Sequence, residues 1–299
     1  MRKICLLLIA VILLTCVCSC NKNGGLDPEI GTIEKTEDGV YYYAENKIKM
    51  LTLNLCDANK YATESREERL PKITKLLNEK SPDVMGLQEV NEFWKENLIN
   101  AKLSDKYTTF TIYAYDNVKG SSILFRKDKF DLLDSGRFWY ADNPDEKSKW
   151  PDAENYSIVV WVKLKEKKTG QEMFFFNTQT DPKEDARDRI DYVLVSKIKQ
   201  MCKNTPYFLV GDFAISDDNP SYAAIKKIAK DVGLEKKATK GTNHNFGKYE
   251  TPRRDDYIFA NPGVITYSCK VLDEKIDDAY YSDHYAVMAE LIIVTPKEK

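Results

Sequence analysis

The sequence predicts an α/β fold of four layers, in which two mixed β-sheets pack face to face and helices cover the outside. Apolar, strand-like runs alternate with stretches of helical periodicity, and some runs follow each other closely, as in hairpins. The chain has 299 residues, of which 42% are hydrophobic and 11% aromatic, enough for a large core. We find no repeats and no boundary that would divide this core between two domains.

The first half of this domain alternates strands with two helices. The first predicted helix has acidic residues near its start, which favour the positive end of the helix dipole, and apolar residues at helical spacing after them. The predicted strands cover 47–55, 83–88, 107–115 and 121–126, and the predicted helices cover about 64–80 and 92–103.

The second half begins after Phe138 and Trp139 with a polar loop at 141–156. A helix then separates two apolar runs from the strand PYFLVGDF, and a shorter helix precedes the closing strands. The predicted strands cover 157–164, 172–178, 206–213, 256–260, 264–272 and 284–294, and the predicted helices cover about 184–203 and 219–231.

The N-terminus has the pattern of an export signal. Two basic residues precede an apolar stretch too short to span a membrane, and small and polar residues follow. The segment 17–20 resembles a bacterial lipoprotein cleavage site with Cys20 as the lipidated residue. Cys16 is a rival, and ordinary secretion is the alternative. We therefore predict a signal peptide at 1–19, a flexible tether at 20–46 and one domain at 47–299, held by lipid at the cell envelope, most simply at the outer membrane.

Charge and cysteine content limit the partners of the domain. The formal net charge of −2 gives no general electrostatic reason to expect nucleic acid, and we expect a monomer. After the leader only Cys56, Cys202 and Cys269 remain, each in an apolar stretch. An odd number of such cysteines argues against a disulfide framework and favours buried thiols.

Short polar blocks lie at one end of several strands and are the strongest functional signal. They are Asn54 in MLTLN, Gln88 and Glu89 in DVMGLQE, Gly211 and Asp212 in FLVGD, Asp256 in DDYIF, and Ser282, Asp283 and His284 before YAVMAELII. In this order they resemble the motifs of the endonuclease/exonuclease/phosphatase superfamily, over about residues 47–293. The segment 124–145 also resembles a bacterial secreted subgroup of that superfamily.

The resemblance implies metal-dependent hydrolysis of a phosphate ester. By that resemblance, Glu89, Asn54 and Asp283 lie on the metal side, and oxygen ligands of this kind suit Mg²⁺ or Mn²⁺. Asp212 corresponds to the aspartate that orients or deprotonates the attacking water. Taken alone, Asn54 and Asp212 could each be turn or capping residues.

The phosphate side of the site is implied in the same way. His284 corresponds to a histidine that contacts phosphate, and Asp256 is expected to fix its tautomer and support its charged form. Gln179 replaces the histidine of the usual NTH motif, so it can donate a hydrogen bond but carries no charge. Ala214 replaces the asparagine of the usual GDFN motif, and its side chain can neither donate a hydrogen bond nor carry a charge.

Three further positions have an uncertain role. Ser157 stands where the subgroup usually has arginine, and VKGSS at 118–122 stands where an acid and an asparagine are common. His244 in GTNHNF is either part of the site or a histidine of a surface loop. Arg254 reaches phosphate or pairs with Asp255 or Asp256.

Two functions follow from these residues. The first is an envelope-anchored phosphoesterase acting on a phosphate ester of unknown identity, which accounts for the acids and histidine at the strand ends. The second is a catalytically silent surface lipoprotein that binds a phosphorylated or glycan ligand, which accounts for Gln179 and Ala214. A purely structural lipoprotein would leave those acids and histidine unexplained.

Overall fold

The computed structural model describes residues 33–35, 41–43, 47–57, 62–115 and 119–293. The predicted signal peptide and Cys20 lie outside these residues. The chain divides into Met1–Asn46 and Lys47–Lys299. Within the predicted tether, Ile33–Lys35 (β1) pairs antiparallel with Tyr41–Tyr43 (β2). No helix in the described part of the chain has the length and apolar composition needed to span a membrane.

Twelve strands of the second unit form two mixed sheets. They are β3 Lys47–Asn54, β4 Val84–Val90, β5 Tyr107–Tyr115, β6 Lys119–Arg126, β7 Phe130–Trp139, β8 Ile158–Glu166, β9 Glu172–Gln179, β10 Tyr207–Asp212, β11 Lys230–Asp231, β12 Asp256–Ala260, β13 Val264–Leu272 and β14 Ala286–Ile293. The first sheet has the order β13-β14-β3-β4-β6-β5, and the second has the order β11-β12-β10-β9-β8-β7. Only one pair in each sheet, β3 with β4 and β9 with β10, is parallel.

The helices form the two outer layers. They are α1 Arg66–Lys80, α2 Glu92–Trp94 continued by a π-helical segment Lys95–Leu103, α3 Glu184–Arg187, α4 Ile190–Cys202, α5 Pro220–Ile225 and α6 Val232–Glu235. Ser65 caps α1 in a reciprocal box with Glu68, which fixes where this helix begins. The apolar side chains Ile73, Leu76 and Leu77 of α1 are buried against the first sheet.

Three apolar clusters separate the four layers. The cluster between the sheets contains residues of both, such as Met50 and Phe125 of the first and Phe175 and Val210 of the second. A second cluster lies between α4, α5 and the second sheet, and a third lies between α1, the π-helical segment and the first sheet. This arrangement confirms the predicted four-layer sandwich of two mixed sheets.

Local predictions were less accurate than the fold class. The strand β7 was missed, because its sequence alternates little and half of its residues are exposed at a sheet edge. The helix predicted at 184–203 is interrupted between Arg187 and Ile190, and the helix predicted at 219–231 ends at Ile225. The prediction of buried, unpaired thiols is confirmed for Cys56, Cys202 and Cys269.

A polar link joins the two sheets below the edge at which the predicted site residues lie. Asn177 of β9 is fully buried, and its Nδ2 donates to the carbonyl oxygens of Leu87 (3.0 Å) and Ser122 (2.9 Å) in the first sheet. Gln88 Nε2 donates back to Asn177 Oδ1 over 2.6 Å. Since buried polar groups are costly when unpaired, this network fixes the relative position of the sheets.

Candidate active site at the strand ends

Both sheets place functional side chains at the same edge. In the second sheet, Asp212 lies opposite Gln179 on one side and opposite Asp256 on the other. In the first sheet, Asn54 lies opposite Gln88. The parallel pairs end at this edge, and β12 and β14 begin there because they run antiparallel to their neighbours. The strand registers therefore explain how blocks that are distant in sequence come together.

A buried group of two carboxylates and one imidazole forms the centre of the site. His284 Nδ1 lies 2.7 Å from Asp256 Oδ2. Ligand atoms of Asp212, Asp256 and His284 all lie within 4.8 Å of one another, a spacing that could hold a metal ion. Among the described residues, Asp212 Oδ1 and Asp256 Oδ1 are buried without a hydrogen-bond partner. Each of these oxygens can therefore accept a hydrogen bond or bind a cation.

The charges of Asp212, Asp256 and His284 shift one another's pKa. Burial raises the pKa of Asp212 to about 7, the positive charge of His284 opposes the rise, and the Asp256 charge adds to it. Burial lowers the pKa of His284, but the charges of Asp256 and Asp212 outweigh it and hold the pKa well above its usual value. His284 is therefore an imidazolium at neutral pH, held between two acidic groups.

Amide side chains join this group to the first sheet. Asn54 Nδ2 donates to Asp212 Oδ2 over 2.9 Å, and Asn54 Oδ1 accepts the Cys56 N–H. Gln179 Nε2 donates to Glu89 Oε1 over 2.8 Å and lies 3.4 Å from Asp212 Oδ2. Gln179 thus connects the predicted metal ligand Glu89 with the predicted catalytic aspartate.

Glu89 is held rigidly at the edge of the site. Its φ of 55° lies in the left-handed region, which is strained for a side chain of this size. Its Oε2 accepts the Asp57 N–H over 2.9 Å, and Lys119 Nζ lies 3.2 Å from its Oε1. Burial raises the pKa of Glu89, but Lys119 and the hydrogen bonds from Gln179 and Asp57 outweigh it and leave the pKa below its usual value.

The remaining predicted residues lie beside the central group. Asp283 Oδ1 lies 3.3 Å from Ser282 Oγ, and the Asp283 carboxylate also raises the pKa of the buried Cys56 thiol, for which burial is the main cause. Asp283 is not one of the residues whose ligand atoms lie within 4.8 Å of each other. Ser282 Oγ donates to the Asn54 carbonyl over 2.6 Å and ties the two strand-end blocks together.

His244 is not a surface-loop histidine. Its side chain is 2% exposed and lies between Tyr280 and Tyr285, with ring centroids at 4.4 and 4.0 Å. Its Nδ1 accepts the Gly247 N–H over 3.2 Å. Asn243, the preceding residue, forms an isolated β-bridge with His284, so the loop that carries His244 lies against the site.

Arg254 does not pair with Asp255 or Asp256 as one prediction had it. Its guanidinium makes two hydrogen bonds of 2.7 Å to the buried carboxylate of Asp231. It also lies over the Tyr257 ring at 4.4 Å. The neighbouring Arg253 is the residue that pairs with Asp255, at 2.8 Å. Arg254 is therefore held by a buried ion pair within the second sheet.

A cavity of about 680 Å³ is lined by residues of the second half of the chain, and Asp212, Asp256 and His284 are not among them. Ala214 and Asp255 line it, and these residues lie close in sequence to Asp212 and Asp256. Ala214 has a φ of 47°, so the backbone turns sharply where the strand leaves the site. The other residues that line the cavity are polar, aromatic or aliphatic: Glu184, Arg187, Ile215, Ser216, Asp217, Asn219, Tyr222, Leu234, Thr239, Arg253, Arg254 and Tyr257.

Sequence reasoning missed Lys119 as a residue of the site. The available signal was VKGSS, which departs from the usual acid and asparagine at 118–122. Ser157, the other doubtful position, is buried next to this region and lines a small cavity with Lys119 and Gln179.

Fold and site together define a class of proteins in which two mixed sheets bring carboxylates, amides and a charged histidine to one edge. The chain belongs to the Endonuclease/Exonuclease/phosphatase family, whose model matches residues 61–284. Members of this family are metal-dependent phosphoesterases. A search of curated proteins finds no match.

Solved structures from two Bacteroides species are similar over most of their length. A family protein from Bacteroides thetaiotaomicron is 28% identical with a TM-score of 0.76, covering 84% of this chain and 99% of its own. A mannosyl-6-phosphatase from the same species is 28% identical with a TM-score of 0.75, covering 82% and 100%. A Bacteroides vulgatus family protein is 27% identical with a TM-score of 0.75, covering 83% and 99%.

Proposed function

We propose that the protein is an envelope-anchored hydrolase of phosphate esters that uses Mg²⁺ or Mn²⁺. The observation that carries this proposal is the buried group of Asp212, Asp256 and His284, with two unpaired carboxylate oxygens, next to Glu89. Such an arrangement combines a base, a fixed positive charge and hard oxygen ligands at one edge of the sandwich.

The residues fit a divalent cation of the magnesium type. Glu89, Asn54 and Asp283 are the proposed ligands, and the unpaired Oδ1 of Asp212 adds a further hard oxygen beside them. When bound, the cation neutralises negative charge on the phosphate group.

The protein side chains have separate tasks in hydrolysis. Asp212, with a pKa of about 7, can accept a proton from water near neutral pH. Asn54 and Gln179 orient its carboxylate through their amides. The His284 imidazolium, held by Asp256, donates a hydrogen bond that stabilises charge on a phosphoryl oxygen.

Sugar phosphates are the substrate class to test first. One structural relative is a mannosyl-6-phosphatase. The cavity beside Ala214 carries three arginines and three acids, so its lining has no net charge and suits a neutral polar group such as a sugar better than a second phosphate. The net charge of −2 gives no support for long nucleic acid.

The anchor is part of the same proposal. Cys20 carries the lipid, residues 20–46 act as a tether, and the domain at 47–299 works as a monomer at the envelope surface. Two experiments test the anchor. Mass spectrometry should find a lipid on Cys20 at the mature N-terminus, and Cys20→Ala should release the protein from the membrane fraction. An unmodified mature N-terminus at another residue would contradict lipidation at Cys20.

Hydrolysis assays test the activity. We would measure release of phosphate from mannose 6-phosphate, and of nitrophenol from p-nitrophenyl phosphate and its bis ester, with Mg²⁺, Mn²⁺ or EDTA. Glu89→Gln and His284→Asn should each lower the rate by about 10²-fold or more. Glu172→Gln, which removes an exposed carboxylate paired with Lys163, is the matched control and should keep the rate. Equal rates in all variants would refute the assignment.

A silent binding protein is the second candidate. Its support is that Ala214 adds no donor at the site and that protein donors already contact both oxygens of Glu89. This candidate predicts binding of mannose 6-phosphate or inorganic phosphate without turnover under any metal condition. Calorimetric titration beside the hydrolysis assay distinguishes the two functions.

A further inference from the structure

Lys119 places a positive charge directly on the proposed metal ligand. Its Nζ lies 3.2 Å from Glu89 Oε1, the same oxygen that accepts the Gln179 amide over 2.8 Å. The other oxygen accepts the Asp57 N–H. Both carboxylate oxygens of Glu89 therefore have protein donors before any cation arrives.

The backbone builds this contact. The β4–β6 pairing is irregular between Leu87 and Val90, so Glu89 lies in a bulge next to the start of β6. Gly120 lies opposite Val90, and a Cβ there would come within 2.8 Å of the Val90 carbonyl oxygen. A glycine is thus required for the close approach that brings Lys119 against Glu89.

The two partners differ in the exposure of their side chains. Glu89 is fixed by its left-handed backbone and is 15% exposed at its side chain. The Lys119 side chain is 37% exposed and has a flexible stem. An ammonium and a divalent cation on one carboxylate oxygen repel each other strongly at a partly buried site. A metal ion that binds Glu89 would therefore displace Lys119 from this oxygen.

We propose that Lys119 is a built-in counter-ion that occupies the cation side of Glu89 in the metal-free protein and must leave when a divalent cation binds. Lys119 then sets the metal concentration at which the site fills. The proposal rests on the proposed function for the assignment of Glu89 as a metal ligand.

The test is direct titration of the protein with Mn²⁺ by calorimetry, without substrate. Lys119→Met removes the charge and should lower the dissociation constant at least about tenfold. Lys119→Arg keeps the charge and should bind as weakly as the unchanged protein. Lys163→Met, which removes a lysine from a surface ion pair, controls for net charge and should have no effect. Adding Glu89→Gln to Lys119→Met should abolish the gain.

Several results would overturn the proposal. They are an unchanged or weaker Mn²⁺ affinity in Lys119→Met, an equal gain in Lys163→Met, and no detectable binding in either protein. Thermal unfolding in EDTA verifies that each variant is folded, and Lys119→Gln replaces Lys119→Met if the latter is not. Because binding is measured without substrate, an inactive protein whose Mn²⁺ affinity rises in Lys119→Met would refute the proposed hydrolysis and leave this proposal standing.

Discussion

Replacing Ala214 by asparagine should both stabilise the protein and raise its phosphoesterase activity, for separate reasons. Ala214 has a φ of 47°, and its N–H points at the Asp255 carbonyl at 3.3 Å. The left-handed region costs an ordinary L-residue roughly 1–2 kcal/mol, less for asparagine and least for glycine. We therefore expect Ala214→Asn and Ala214→Gly each to raise the free energy of unfolding by about 0.5–1 kcal/mol.

The rate effect depends on the added amide. Ala214 lies two residues after Asp212, at the position where the GDFN motif has asparagine, so an asparagine there should add a hydrogen-bond donor to the site. One preorganised donor is worth about 10²- to 10³-fold in rate. Glycine relieves the same backbone strain and adds no donor, so Ala214→Gly should leave the rate within about threefold, less than 1 kcal/mol in activation free energy.

Urea unfolding and steady-state hydrolysis of mannose 6-phosphate and p-nitrophenyl phosphate measure the two effects on the same proteins. A rate gain in Ala214→Gly equal to that in Ala214→Asn would show that loop conformation, not a donor, limits the reaction. A rate unchanged in both would refute the view that this replacement weakens the site. Stability unchanged in both would refute the strain argument.

Two further changes test stability. His244 has a pKa of about 4 in the folded protein against 6.5 for the free side chain, chiefly because of burial, so its stabilising effect is complete above pH 6.5 and lost as pH falls toward 4. The difference in free energy of unfolding between the unchanged protein and His244→Asn, measured by urea unfolding, should therefore shrink by about 3 kcal/mol between pH 7 and 4. A difference that stays constant over this range would contradict the reasoning. Gly86→Ala should lose about 1–3 kcal/mol, because its Cβ would lie 2.6 Å from Val210 Cγ2 and 2.7 Å from Asn177 Oδ1. The control Gly263→Ala, whose Cβ meets no atom nearer than 3.7 Å, should be neutral, and equal losses would refute the crowding.

Strand ends were the most predictable part of the site. An apolar run followed by a polar block predicts a strand and its terminal residue, and β3, β4, β10 and β12 were located in this way. The edge strand β7 and the interrupted helices were not, although the edge strands β5 and β13 were. Half of the β7 residues are exposed, and the β7 sequence carries little alternation. Hydrophobic periodicity in the sequence arises from burial of one face of an element. It therefore does not predict a strand or helix that lacks such a face.

Contacts between side chains were the least predictable part. Arg254 was expected next to Asp255 or Asp256 because those residues are near in sequence, yet it binds Asp231 on another strand of the sheet. His244 was equally open to a surface role, yet two tyrosines from the segment before β14 bury it. The separation of two residues in the sequence therefore does not predict which strands lie next to each other in the fold.

The sequence by itself determined the fold class, the family and the residues that collect at the strand ends, because periodicity and motif order are properties of the linear chain. Only the tertiary structure decided how these residues are paired. It made Gln179 a bridge between Glu89 and Asp212, and it brought Lys119 onto Glu89 through a bulge opposite Gly120. The physical reason is that pairing depends on register and on the packing of two sheets, which fix distances of a few ångström between residues far apart in the chain.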